Sequence, residues 1–240
     1  MGNTVCMSSL NSQQVFNFNL VPAHTFDTFY AKDPIFIDIL KGIATGDHNE
    51  QQVFIWGSEG TGKTHLLHAI CHTAHSNDQR VMYVPLAESL SYEAEFIRGL
   101  HLLDIVCIDD IHLLTGKSEW EVALFHLINQ TRMSNSTLII SSENSPAENI
   151  FELQDLNSRS VWGPVYKLPK IRDDELGDVI NLHAKSNGLI VSDEVKNFLL
   201  SRCQRELPKL VQALEKLSHS SLQEQRKLTI PFVKRVLEIS

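Results

Sequence analysis

Apolar residues fall along this chain in two different rhythms. In the first two thirds they form short unbroken runs, "QQVFIWG" (51–57), "RVMYVPL" (80–86), "LLDIVCIDD" (102–110) and "STLIISS" (136–142), with "VYKLP" (165–169) as a fifth and shorter one. Helix-length segments separate them. Strands that are apolar throughout, rather than at alternate positions, are buried on both faces, and helices between them make the pairing parallel. The pattern therefore predicts an α/β unit with a five-stranded parallel sheet covered on both sides.

After Pro169 the rhythm changes to a helical one. "RDDELGDVINLHAKSNG" opens with acids and ends in Asn-Gly, as a capped helix does. "SDEVKNFLLSRC", "LPKLVQALEKLSHSS" and "IPFVKRVLEIS" predict three more helices, the second with Leu207, Leu210, Val211, Leu214 and Leu217 in one stripe. Upstream of the sheet, "DPIFIDILKGIATG" predicts a helix with Asp33 as cap, Pro34 in its first turn, and Ile35, Ile39 and Leu40 on one face. Residues 1–24 are rich in Asn, Ser and Gln without periodicity and are expected to form a flexible tail, within which Met7 is a second candidate start. The expected organisation is thus a tail (1–24), an α/β domain (25–168) and a small helical lid (169–240).

Composition narrows the function. With 240 residues, 42% hydrophobic and 21% charged, the chain can bury a substantial core. Its formal net charge of -8 disfavours strong direct binding to DNA, because no global positive field attracts a phosphate backbone. The four cysteines are scattered, no run approaches a membrane span, and the start lacks a signal-peptide pattern, which together predict a cytoplasmic protein with no membrane partner.

Between the first strand and the helix that follows it lies "GSEGTGKTHLLHA" (57–69). Gly57, Gly62, Lys63 and Thr64 match G-x-x-x-x-G-K-[ST] in the strand–loop–helix context that the motif needs. Glycines such as Gly60 and Gly62 let backbone N–H groups, including that of Thr61, wrap phosphates; Lys63 offsets their charge and Thr64 offers a hydroxyl to Mg²⁺. About 45 residues downstream, Asp109 ends an apolar strand and is placed to hold the same Mg²⁺ through water. Asp110 either polarises an attacking water or only caps the turn "IHLL".

"GKTHLLHA", then "IDDIHLL", then "LIISSENSP", then "LNSRSVWG" resemble in order the nucleotide-binding core of the DnaA replication initiators, which are AAA+ ATPases, and the likeness covers roughly residues 25–240. The resemblance implies an AAA+ P-loop NTPase core with a helical lid, ADP or ATP with Mg²⁺ as cofactor, and self-association into a homo-oligomer. It implies His65 beside the loop, Glu143 or Asn144 as a first sensor of the γ-phosphate, Arg159 as an arginine finger, and Phe26 and Phe29 of "HTFDTFYA" near the base. The DnaA initiators continue into an origin-binding helix-turn-helix domain, whereas this chain ends at Ser240. It is therefore most similar to the Hda proteins, small DnaA homologues that bind the DNA polymerase III sliding clamp (its beta subunit) and stimulate hydrolysis of DnaA-bound ATP. In that group an N-terminal peptide contacts the clamp; here "QQVFNF" supplies Gln13, Phe16 and Phe18.

One position departs from the pattern. The second-sensor arginine of the lid is replaced by Pro208, with Lys209 or Arg205 as substitutes, which puts nucleotide sensing and intrinsic ATPase activity in question. His65, His68, His72 and His75 fall in one stripe about 80° wide on the helix after the loop, opposite Leu67, Ile70 and Ala74. No carboxylate or cysteine completes a metal set, so the stripe is expected to be a polar flank. The alternative functional class is an AAA+ adaptor or helicase loader that binds single-stranded DNA; a small-molecule kinase would share the loop but gives no reason for the lid.

Overall fold

The structure, a computed structural model, describes residues 20–202 and 207–239. Gln13, Phe16, Phe18 and Arg205 lie outside the described residues.

All five expected strands form: β1 (Gln52–Trp56), β2 (Val81–Pro85), β3 (Ile105–Asp109), β4 (Thr137–Ser142) and β5 (Val165–Lys167). They pair in the order β2-β3-β4-β1-β5, every pair parallel. Side chains alternate between the two faces. Val53, Ile55, Ile105, Cys107 and Ile139 join α1 (Pro34–Thr45) and α2 (Lys63–Ser76) in one core. Phe54, Val106, Ile108, Leu138 and Ile140 join α3 (Leu86–Ser89), α4 (Ser118–Met133) and α5 (Gln154–Arg159) in the other. Burial on both faces is the reason the strands read as continuous apolar runs.

Helix α1 begins as its sequence dictates: the Asp33 carboxylate accepts from the backbone N–H of Ile35 and Phe36, and Pro34 occupies the first turn. Its buried face, however, is Phe36, Ile37, Leu40, Ile43 and Ala44, while Ile35 is 73% exposed. Of the expected face, Leu40 is fully buried and Ile39 packs against the same core; only Ile35 misses, because it lies in the first turn before the helix meets the core.

A third core belongs to the C-terminal helices α6 (Leu176–Ser186), α7 (Asp193–Arg202), α8 (Leu207–Glu224) and α9 (Ile230–Leu237). Leu210, Leu214 and Leu217 of the stripe on α8 are buried there, whereas Leu207 and Val211 turn toward a cleft between this bundle and the sheet. No helix among the described residues is long and apolar enough to cross a membrane.

Candidate nucleotide site

The loop after β1 is shaped by close approach. Gly62 has φ +94, and a Cβ there would sit 2.8 Å from Phe29 Cε2, so both its backbone and its neighbour demand glycine. Gly57 passes beneath the Leu168 carbonyl, 2.6 Å from where its Cβ would be. Thr61 is buried and its hydroxyl donates to Ser58 O at 2.9 Å, which pins the turn. The Lys63 ammonium is buried and donates to Gly57 O at 2.9 Å and Ser58 O at 3.4 Å, folded back on its own loop.

Opposite the loop, the carboxylate of Asp109 is almost fully buried and accepts from three hydroxyls. Thr64 Oγ1 and Tyr83 Oη donate to Oδ2 at 2.7 and 2.9 Å, and Ser141 Oγ donates to Oδ1. Ser141 also accepts from the Asp110 backbone N–H at 2.9 Å. Burial and the adjacent Asp109 push the Tyr83 phenol far up, so it remains a donor at every working pH. Asp110 takes φ +61 and makes no side-chain cap for residues 111–114; its carboxylate instead lines the cleft. Burial, then the charge of Asp109, raise its pKa above the usual range. A hydroxyl and a carboxylate held 2.7 Å apart beside a glycine loop are oxygen donors of the kind Mg²⁺ takes, so the residues present fit that group.

The cleft is about 650 Å³ and is bordered by Gly60, Gly62, Lys63, Thr64, His65 and Asp110 on the sheet side. Pro208, Lys209, Val211, Gln212 and Glu215 of α8 border it on the lid side. Pro208 stands across from Gly60, in contact distance of the position a Cβ would take there. Among the described residues Glu215 Oε1 is buried without a hydrogen-bond partner, and burial raises its pKa. Glu143, not Asn144, reaches the cleft. Asn144 turns its amide to Glu148 Oε2 at 2.7 Å, within the tight turn that follows β4. Phe26 is likewise not in the cleft: it is buried in the core under α1, with Lys41 Nζ 5.8 Å from its ring centre. Phe29 lines smaller cavities next to the loop, one of about 210 Å³ closed by Tyr30, Tyr166, Leu168 and Ile171.

The histidine stripe on α2 has a structural use that sequence alone did not reveal. Three of its four members, His65, His68 and His72, bind residues 21–28, while His75 stays exposed. His68 Nδ1 accepts from Val21 N at 3.2 Å, His72 Nε2 bonds Val21 O at 3.0 Å, and His65 Nε2 bonds Thr25 O at 2.8 Å. His24 stacks on His65 with ring centres 4.5 Å apart. Burial holds His65 down to about 3 and His68 to about 4, so both are neutral, as the accepting Nδ1 of His68 requires. Val21 and His24 thereby become part of the cleft wall.

Arg159 lies elsewhere. The amide of Gln52, the first residue of β1, donates to Arg159 O at 2.9 Å and Ser160 O at 2.7 Å, whereas the phosphate loop follows the last residue of that strand. Its guanidinium lies 4.6 Å from the ring centres of both Phe125 and Trp162 and donates to Asn129 Oδ1. It is absent from the cleft lining.

Residues 20–167 match the family model of the bacterial DnaA ATPase domain, and residues 173–237 that of the Hda lid domain. The chain belongs to the DnaA family of AAA+ proteins. An uncharacterized protein of Haemophilus influenzae is 37% identical over 232 residues, covering 96% of this chain and all of that protein. Domain III of the Thermotoga maritima replication initiation protein DnaA superposes with a TM-score of 0.70 at 26% identity, covering 92% of this chain and 98% of that one. DnaA from Aquifex aeolicus bound to AMPPCP has a TM-score of 0.67 at 23% identity, covering 85% of this chain and 68% of that one, a likeness of fold. The five-stranded parallel sheet with its helical lid is therefore a DnaA-like AAA+ fold.

Within this DnaA-type frame, Tyr83, Ser141, Gln52, Phe125, Asn129, Trp162 and Glu215 escaped sequence reasoning. Only Trp162 carried a signal, as an aromatic two residues past the "SRS" of "LNSRSVWG". The others join sites only through register and helix packing.

Proposed function

We propose that this chain is an Hda-type regulator that holds ADP or ATP with Mg²⁺ in its cleft and presents Arg159 to the nucleotide of a neighbouring DnaA. The observation that carries this reading is the separation of Arg159 from the chain's own phosphate loop. Gln52 and Trp56 are the two ends of β1, roughly 13 Å apart at strand rise, so Arg159 is set apart from the resident nucleotide and on this reading serves a partner's. An arginine supplied in trans stabilises transition-state charge on the γ-phosphate and is worth about 10³ to 10⁵ in rate.

The resident nucleotide then serves conformation. Gly60, Gly62, Lys63, Thr64 and Asp109 hold phosphate and cation, and the DnaA-like and Hda-lid matches support that assignment. Asp110, raised in pKa beside Asp109, is the group able to accept a proton from water in the cleft. With Pro208 where the lid would carry an arginine, intrinsic turnover is slow, and Lys209 is the cation of the lid that lines the cleft. The tail, through Gln13, Phe16 and Phe18, binds the sliding clamp, so that DnaA-bound ATP is hydrolysed after clamp loading and re-initiation is prevented.

The test is hydrolysis of DnaA-bound ATP in the presence of the clamp on DNA. Arg159→Ala should abolish stimulation and Gln13→Ala should abolish its clamp dependence together with capture on immobilised clamp. Unchanged stimulation by Arg159→Ala sinks the mechanism. Tight, salt-sensitive binding to single-stranded DNA without clamp binding would instead identify a helicase-loader type of adaptor.

A further inference from the structure

Among the groups around Asp109, Tyr83 and Ser141 have no part yet in the nucleotide chemistry, and Tyr83 is the one that shares Oδ2 with Thr64. It sits on β2, paired in register with Cys107 of β3, so its side chain emerges beside the end of the neighbouring strand where Asp109 lies. The phenol is 9% exposed, donates to Asp109 Oδ2 at 2.9 Å, and shares that oxygen with Thr64. Ser141 holds the other oxygen. Three donors on three elements fix the carboxylate against rotation, and Tyr83 is the only one of the three contributed by β2. Its own ring is held in turn: His68 packs against it edge-on, centres 4.6 Å apart at 86°, and His68 is bonded to Val21 of the segment that walls the cleft.

We propose that Tyr83 is a positioning residue for the divalent cation, orienting the Asp109 carboxylate toward the metal that accompanies the nucleotide. This rests on the nucleotide–Mg²⁺ reading given above. Tyr83 is not among the residues lining the cleft, so it acts through Asp109 and not on phosphate. Outer partners that orient a ligating carboxylate commonly change metal affinity by about 10- to 100-fold when removed. The isosteric change Tyr83→Phe keeps the ring against His68 and removes only the donor.

The experiment measures ADP affinity by isothermal titration for the unaltered chain and Tyr83→Phe, each with Mg²⁺ and with EDTA, and adds a Mn²⁺ titration followed by electron paramagnetic resonance in the presence of ADP. The expected result is that affinity in EDTA stays within about twofold, while the gain conferred by Mg²⁺ and the Mn²⁺ affinity fall by about tenfold. Thermal melting monitors folding in both proteins. An unchanged gain from Mg²⁺ in Tyr83→Phe, or an equal loss of ADP with and without Mg²⁺, overturns the inference alone. No ADP or ATP binding by the unaltered chain overturns the nucleotide reading and this inference with it.

Discussion

The hydroxyl of Thr64, in the first turn of α2, donates to the carboxylate of Asp109, the last residue of β3, at 2.7 Å. One bond therefore joins the phosphate loop to the adjacent strand end, and Asp109 is the common acceptor for Thr64, Tyr83 and Ser141. Replacing Asp109 with Ala should leave three donors without their acceptor, at least Tyr83 and Ser141 in buried surroundings. We expect a loss of about 2–4 kcal/mol in urea unfolding, with Asp109→Asn costing less because an amide oxygen still accepts.

Trp162 and Phe125 flank the Arg159 guanidinium at equal centre distances of 4.6 Å. Stacking of this kind is worth about 0.5–1 kcal/mol per exposed ring, so Trp162→Ala should lower stimulation of DnaA-bound ATP hydrolysis roughly two- to fivefold. Trp162→Phe should retain more than half of the wild-type rate. A rate for Trp162→Ala equal to wild type would show that the ring does not hold the guanidinium in its working position.

Gly163 follows Trp162 and lies against β1: a Cβ there would stand 1.8 Å from the Gln52 carbonyl oxygen. The strand cannot move without breaking its pairing with β4, and Gln52 also bonds Arg159 O and Ser160 O. Gly163→Ala should therefore cost more than about 3 kcal/mol, seen as a collapse in melting temperature or soluble yield.

His68 is neutral in the folded chain, its pKa lowered from 6.5 to about 4 by burial first and then by His24. A depressed histidine pKa means that the unfolded chain binds the proton more readily, so stability is full above about 6.5 and is lost as pH falls toward 4. Protonation would also remove the Nδ1 acceptor that holds Val21 N. Melting temperature should fall across this window and protease cleavage near residues 20–25 should rise; His68→Gln should flatten the slope.

Glu215 faces the same cleft as Lys63 and Thr64 with a buried Oε1 that lacks a partner among the described residues, and burial raises its pKa. Its charge opposes phosphate. Glu215→Gln should tighten ADP binding about threefold or more at low salt, with a smaller gain at high salt where the charge is screened. Equal affinities at both ionic strengths would place the carboxylate outside the field of the phosphates.

Much of this protein was legible in order along the chain. The continuous apolar runs 51–57, 80–86, 102–110 and 136–142 required a sheet buried on both faces, and the structure pairs them in parallel. The turn at 57–64 between β1 and α2 was legible because its glycines, Lys63 and Thr64 fall within eight consecutive positions, so the geometry they impose is local. The cap on α1 was legible for the same reason, since Asp33 bonds residues only two and three positions away.

What the sequence could not contain was any relationship set by register or by packing between distant elements. Tyr83 meets Asp109 because β2 and β3 are in a particular register, and Gln52 meets Arg159 across 107 positions. The four histidines look like a solvated flank on a helical wheel, yet three of them bind residues 21–25, because the segment before α1 crosses α2 at that face. Glu143 and Asn144 are adjacent in sequence and equally polar; the turn after β4 sends one to the cleft and ties the other to Glu148. Local chemistry determined which groups this chain offers, and the tertiary structure decided which of them face one another, since contact energies depend on distances that only the folded backbone sets.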